Sequence, residues 1–136
     1  MLVKDVMTEN PVTVQEKDTL ATVADLFYEL DIRHIPVVQG NELVGIISDR
    51  DLRENQVPSK VTIQNPDSDN WENTQVRNVM SSGVVSVGPE SQLSEVIDLM
   101  VEHKYSAVPV ANELNGSLVG IVSYIDVLRA LQDTLD

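Results

Sequence analysis

Val3-Lys4-Asp5-Val6-Met7 returns as Val76-Arg77-Asn78-Val79-Met80, an offset of 73 residues. The register holds through Thr13-Val14 and Ser86-Val87, Leu20 and Leu93, Val23 and Val96, Asp25 and Asp98, Leu26 and Leu99, and Pro36 and Pro109. A two-residue insertion in the second copy then moves the offset to 75. Leu43-Val44-Gly45-Ile46-Ile47-Ser48 thereafter matches Leu118-Val119-Gly120-Ile121-Val122-Ser123, and Asp51 matches Asp126. The chain is a tandem repeat. Two copies of one unit are expected to pack about a pseudo-twofold axis, with paired clefts between them.

Each copy carries the same local signals. An extended apolar stretch, Pro11-Val12-Thr13-Val14 or Val84-Val85-Ser86-Val87, is followed by Asp18 or Ser91, the expected helix N-cap. Leu20, Val23, Ala24 and Phe27, and Leu93, Val96, Ile97 and Met100, then stand at i, i+3, i+4 and i+7, one apolar stripe of a helix. Ile35-Pro36-Val37-Val38 and Leu43-Val44-Gly45-Ile46-Ile47 flank Gly40-Asn41, which is hairpin turn chemistry. Val108-Pro109-Val110-Ala111 and Leu118-Val119-Gly120-Ile121-Val122 repeat the arrangement around a longer turn, and a second helix starts at Ser48 or Ser123. The order predicts an α+β fold of two β-α-β-β-α repeats, small sheets with helices on one face. The expected boundaries are repeat 1 over 1–56, an acidic polar linker over 57–73 and repeat 2 over 74–136.

Composition narrows the function. A lone copy of about 60 residues would bury only about 60% of its unfolded surface, so the pair is the expected folding unit. The net charge of −13 argues against a nucleic-acid backbone as partner, because phosphates require Lys and Arg. With no cysteine there are neither disulfides nor thiolate metal sites. No apolar run approaches the ~18 residues of a membrane span, and Met1-Leu2-Val3-Lys4-Asp5 does not open a signal peptide, so a cytoplasmic protein without membrane insertion is expected.

No enzyme signature is present. His34 and His103 do not share a repeat position and form no symmetric metal pair, and no nucleophile elbow, Walker loop or Gly-x-Gly-x-x-Gly occurs. Asp67-x-Asp69 is rejected as a calcium loop: position 6 is Glu72 rather than Gly, and position 12 is Asn78 rather than Glu. Trp71 reads as a packing anchor for the linker. The pattern left to weigh is Ser48-Asp49-Arg50-Asp51 with its echo Ser123-Tyr124-Ile125-Asp126. Ser-x-x-Asp at a helix start is adequately explained as a capping box. The same geometry suits a ribose-phosphate, since the carboxylate can accept ribose hydroxyls while free backbone N–H groups attract phosphate.

The ordered set Asp5-Val6-Met7-Thr8, Pro11-Val12-Thr13-Val14, Arg33-His34-Ile35-Pro36-Val37-Val38 and Leu43 to Asp51 resembles a CBS domain, named after cystathionine β-synthase, and the second copy is similar to the same family. The resemblance covers nearly the whole chain apart from the linker. It implies a Bateman module, a pair that binds adenine nucleotides or related adenosyl ligands and often dimerises into a flat disk. Carried over by position, it implies a first nucleotide-binding cleft of Ser48, Arg50 and Asp51 with Thr74, Lys104, Tyr105, Ser106 and Ala107. In that reading Asp51 takes the ribose, Arg50 and Lys104 face the phosphates, and Tyr105 either stacks on adenine or is a half-exposed strand-edge residue. A second, weaker cleft combines Ser123 and Asp126 with Ile32, Arg33 and His34, because Ile125 replaces Arg50 and the position matching Thr74 falls at Met1. The expectation is therefore not an enzyme but a regulatory module, with no obligatory cofactor and no metal site. Its ligand would be AMP, ADP, ATP or S-adenosylmethionine, with or without magnesium, and it would act as a homodimer on a regulated partner protein. The alternative is a dimeric scaffold without ligand binding.

Overall fold

The computed structural model describes residues 1–55 and 71–135. Most of the proposed linker, with the rejected Asp67-x-Asp69 loop, lies outside the described residues. The first repeat supplies β1 (Thr8–Glu9), β2 (Val14–Gln15), α1 (Leu20–Leu30), β3 (His34–Gln39), β4 (Glu42–Ser48) and α2 (Asp49–Glu54). The second supplies β5 (Ser81–Ser82), α3 (Leu93–His103), β6 (Ala107–Ala111), β7 (Leu118–Ser123) and α4 (Tyr124–Gln132). The mixed helix and sheet content, with two small sheets, is the fold class that the repeat pattern predicts.

The sheets run β2-β3-β4-β5 and β1-β7-β6. The predicted opening strands are shorter than expected. In the first repeat only Val14 and Gln15 pair, parallel, with Val37 and Val38, and in the second only Val87 bridges to Val110. The expected caps also move on by one residue. Asp18 Oδ2 instead accepts from the backbone N–H of Gln15 (2.7 Å), and Ser91 Oγ from that of Gly88 (3.1 Å). Both side chains close the turn ahead of the helix, which leaves Thr19 and Gln92 as the N-caps. Each helix ends on a left-handed, non-glycine residue, Asp31 (φ 52°) or Lys104 (φ 59°), so the repeat extends to backbone conformation.

The compact units do not follow the repeats. One consists of Val12–Gly40 with Val44–Gly83; the other of Met1–Pro11, Asn41–Leu43 and Val84–Asp136. Each unit's helix is therefore completed by an opening segment from the other repeat. In the unit built on the first repeat, Val76 N–H donates to Asp18 O (2.8 Å) and Leu20 N–H to Thr74 O (2.9 Å). In the other, Val3 N–H donates to Ser91 O (2.9 Å) and Leu93 N–H to Met1 O (2.9 Å). Strand pairing repeats the exchange, with β5 on β4 and β1 on β7.

Two cores result. Val14, Leu20, Val23, Ile35, Val37, Ile47, Leu52 and Val76 form one, against which Trp71, Val79 and Met80 pack. Trp71 thus anchors the end of the linker. Val3, Val87, Leu93, Val96, Val108, Val110, Val122 and Val127 form the other, with Val6 and Met7 packed on it. Val3 and Val76 have no exposed surface, so the opening segments are core elements rather than tails.

Candidate functional site

A strand that ends on an extended serine and turns at once into a helix makes a corner, and the chain makes it twice. β4 ends at Ser48 (φ −119°, ψ 165°) and β7 at Ser123 (φ −96°, ψ 164°), each the N-cap of the following helix. Asp51 N–H donates to Ser48 Oγ (3.2 Å), while Asp51 Oδ2 accepts from Ser48 N–H (2.8 Å) and Oγ–H (3.0 Å). Asp126 N–H likewise donates to Ser123 Oγ (3.3 Å), and Asp126 Oδ2 accepts from Ser123 N–H (2.9 Å). The capping box is present in both copies, and it satisfies backbone donors that a helix start leaves open. It also immobilises a part-buried carboxylate by one oxygen. Oδ1 of Asp51 and of Asp126 makes no hydrogen bond within the described residues, so each retains acceptor capacity for a ligand hydroxyl.

The hairpin determines what flanks each corner. Adjacent antiparallel strands bring the start of one beside the end of the next. Asp49 N–H accordingly donates to Arg33 O (3.1 Å), and Tyr124 N–H to Ser106 O (3.0 Å), while Ala107 stands opposite Ser123. Within the compact units, Ile32, Arg33 and His34 therefore adjoin the Ser48–Asp51 corner. Tyr105, Ser106 and Ala107 adjoin the Ser123–Asp126 corner. The resemblance groups each strand start with the opposite corner; among the described residues, the backbone bonds Asp49 N–H to Arg33 O and Tyr124 N–H to Ser106 O join each corner to the strand start of its own repeat. Thr74 shares the compact unit of Ser48, and its carbonyl is committed to Leu20.

The two corners differ in charge. At the first, Asp49 Oδ2 receives Arg33 Nη1 and Arg53 Nη1, both at 3.2 Å, and Arg50 Nε pairs with Glu54 Oε1 at 3.0 Å. At the second, Ser106, Tyr124, Ile125 and Leu128 occupy the positions of Arg33, Asp49, Arg50 and Arg53. Arg129 Nη1 approaches Asp126 Oδ1 only to 4.0 Å. Lys104 is exposed, and the half-exposed ring of Tyr105 stacks on His103, with centroids 5.3 Å apart and planes 19° apart. Ile32 packs on the core. In the sequence Asp49 stands out only as part of the Ser48–Asp51 pattern and His103 only as half of an excluded metal pair, and nothing marks Arg53 except its i, i+4 spacing from Asp49.

His34 opens β3 beside this first corner. Burial lowers its pKa below the usual 6.5, against the opposing fields of Asp49 and Asp51. The folded chain then binds fewer protons than the unfolded chain below pH 6.5, so stability falls as pH drops through that value. His34→Gln is expected to flatten this loss. Urea midpoints at about pH 7.5 and 5.5 should differ less in the variant than in the parent, and equal differences would exclude the effect.

The sequence model of the CBS domain matches residues 3–57 and 76–133. The CBS domain-containing protein YhcV of Bacillus subtilis is 34% identical over 125 residues, covering 92% of this chain and 81% of that protein. A crystal structure of a protein from Vibrio cholerae, described as an acetoin utilization protein (AcuB), superposes with a TM-score of 0.82 at 33% identity, over 98% of this chain and 93% of that one. The structure of CBSX2 in complex with AMP gives 0.78 at 25% identity, over 98% and 97%. Other relatives are longer: the chain spans 24% and 25% of the homoserine O-acetyltransferases of Methanococcoides burtonii and Methanococcus vannielii. The matched segments take in both opening motifs and both Ser-x-x-Asp corners, and the chain belongs to the CBS domain family as a tandem pair.

Proposed function

We propose that this chain is a regulatory module, not an enzyme, that binds adenine nucleotides or related adenosyl ligands at its two corners and signals to a partner protein. The single observation that carries the reading is the fixed, part-buried carboxylate of each corner, held by Oδ2, with Oδ1 making no hydrogen bond among the described residues. A rigid acceptor of this kind suits a ribose hydroxyl, because its orientation is set before the ligand arrives. AMP bound to CBSX2 supports the adenosyl class. Ser48, Asp51 and Thr74 with Ile32, Arg33 and His34 form the first site in this proposal, and Arg50 supplies positive charge at its rim. Ser123 and Asp126 with Lys104, Tyr105, Ser106 and Ala107 form the second. Any magnesium travels with the nucleotide phosphates. The sites belong to repeats over 1–56 and 74–136, joined by a linker over 57–73, in a cytoplasmic homodimer. No helix among the described residues is long and apolar enough to cross a membrane.

Thermal unfolding with adenosine, AMP, ADP, ATP and S-adenosylmethionine tests the reading. A ligand at 100 times its dissociation constant should stabilise the protein by about 2.7 kcal/mol. Asp51→Ala should weaken the first site at least tenfold, a loss of about 1.4 kcal/mol in binding, while costing roughly 0.5–2 kcal/mol of fold stability through the cap. No stabilisation by any member of the series would instead favour the dimeric scaffold.

A further inference from the structure

We propose that Asp49 selects the charge of the ligand at the first corner, by serving as internal counter-ion to Arg33 and Arg53. The inference rests on the adenosyl reading above. Arg33 comes from the approach to β3 and Arg53 from the last turn of α2, yet both guanidinium groups meet the same oxygen, Asp49 Oδ2, at 3.2 Å. Asp31 Oδ1 lies 4.0 Å from Arg33 Nη2. Two guanidinium groups converging from separate elements is the arrangement that holds a phosphate. Here a carboxylate of the protein's own holds it.

The arrangement is not required by the fold. Arg33 and Arg53 are 66% and 64% exposed, and such surface pairs contribute little stability. The second repeat builds the same strand-to-helix corner with Ser106, Tyr124 and Leu128 at the three positions, so the trio is present as a set or absent as a set. Its consequence is electrostatic. Every phosphate added to a ligand meets the charge of Asp49 and competes with it for the two arginines. The first corner thus favours adenosyl compounds of low negative charge, nucleosides, thioethers and monophosphates, over triphosphates.

Calorimetric titration of adenosine, AMP and ATP into the parent and Asp49→Asn tests this. Asp49→Asn should leave adenosine affinity within about twofold, tighten AMP by about fivefold and tighten ATP by about tenfold or more, since removing one nearby charge acts in proportion to ligand charge. An equal change for all three ligands, or none, overturns the proposal. Inorganic pyrophosphate separates it from the adenosyl reading. If adenosyl compounds bind neither protein but pyrophosphate raises the melting temperature of Asp49→Asn alone, the adenosyl reading fails and the role of Asp49 stands. If adenosyl compounds bind both proteins with unchanged charge dependence, the reverse holds. Should Asp49→Asn not fold, Arg33→Gln/Arg53→Gln provides the second arm: it should weaken ATP relative to adenosine, and an unchanged ratio again overturns the proposal.

Discussion

Gly45→Ala is expected to destabilise the protein by about 1–3 kcal/mol, and Gly120→Ala, 75 positions away, to do the same for the same reason. A methyl group on Gly45 would lie 2.6 Å from Met80 Sδ and 2.8 Å from the carbonyl oxygen of Ser81. On Gly120 it would lie 2.6 Å from Met7 Sδ and 2.9 Å from the carbonyl oxygen of Thr8. The sulfur belongs to a flexible side chain and can move. The carbonyl belongs to the backbone of a paired strand, since Gly45 stands opposite Ser82 and Gly120 opposite Glu9, and it cannot. Methionine to alanine at the facing position should therefore relieve only part of the cost. Gly40 is the contrast: it has φ +61° with open space around it, so Gly40→Ala should cost about 1 kcal/mol through backbone conformation alone. Chemical denaturation of the variants decides. Neutral Gly45→Ala and Gly120→Ala proteins would mean that the opening segments are not packed against β4 and β7 as described.

The same contacts mark how far the sequence could be read. The doubling, the helical stripes from Leu20 and Leu93, the hairpins and both capping boxes were legible, because each is a local pattern whose period or turn chemistry lies within a dozen residues. The source of the segment that completes each unit was not. Val3-Lys4-Asp5-Val6-Met7 and its echo are so alike that either could close either unit, and only tertiary packing assigns Val76 to one core and Val3 to the other. The complementary pairing of a large Met with a small Gly was a clue to contact, but it names both partners equally. At the corners the shortfall was of another kind. The Gly40-Asn41 turn implies an antiparallel hairpin, and an antiparallel hairpin puts Arg33 beside Asp49. That neighbourhood follows from the turn alone, without coordinates.

Function and fold also compete for the same atoms at these corners. Ser48 and Asp51 satisfy the start of α2, so a ligand that engaged Asp51 Oδ2 or Ser48 Oγ would have to break the cap. Oδ1 is the atom that a ligand can use without that loss. Ligand binding at the corner and helix capping are then compatible, and the cap becomes the device that orients the binding group. Arg33 shows the converse. Its guanidinium is already engaged by Asp49, so phosphate can recruit it only by displacement. On the proposed reading, the first corner is rigid toward a ribose and guarded toward charge.

The exchange of opening segments makes the other large effect predictable. A chain beginning at Val12 should lose most of the stability of the unit formed by Val84–Asp136, although nothing in that stretch has been altered. The missing residues include Val3, fully buried, and Val6 and Met7, packed on the same core. They also carry β1, which pairs Thr8 with Ile121 and Glu9 with Gly120, and the bonds from Val3 N–H to Ser91 and from Lys4 N–H to Pro89. Burying a Val or Met side chain is worth about 1.5–3 kcal/mol, so the apolar loss alone is on the order of 5 kcal/mol. Against a total stability of about 5–15 kcal/mol, that is enough to unfold the unit or bring it to the edge of unfolding. The melting temperature should fall by roughly 15 °C or more. Amide exchange locates the damage: Val108, Val110 and Val122 should lose protection, and a synthetic peptide of residues 1–11 added in excess should restore it, because the segment binds by burial and strand pairing rather than by chain connectivity. A shortened chain that melted within a few degrees of the parent, with those amides still protected, would show that Met1–Pro11 merely decorates a unit that stands without it.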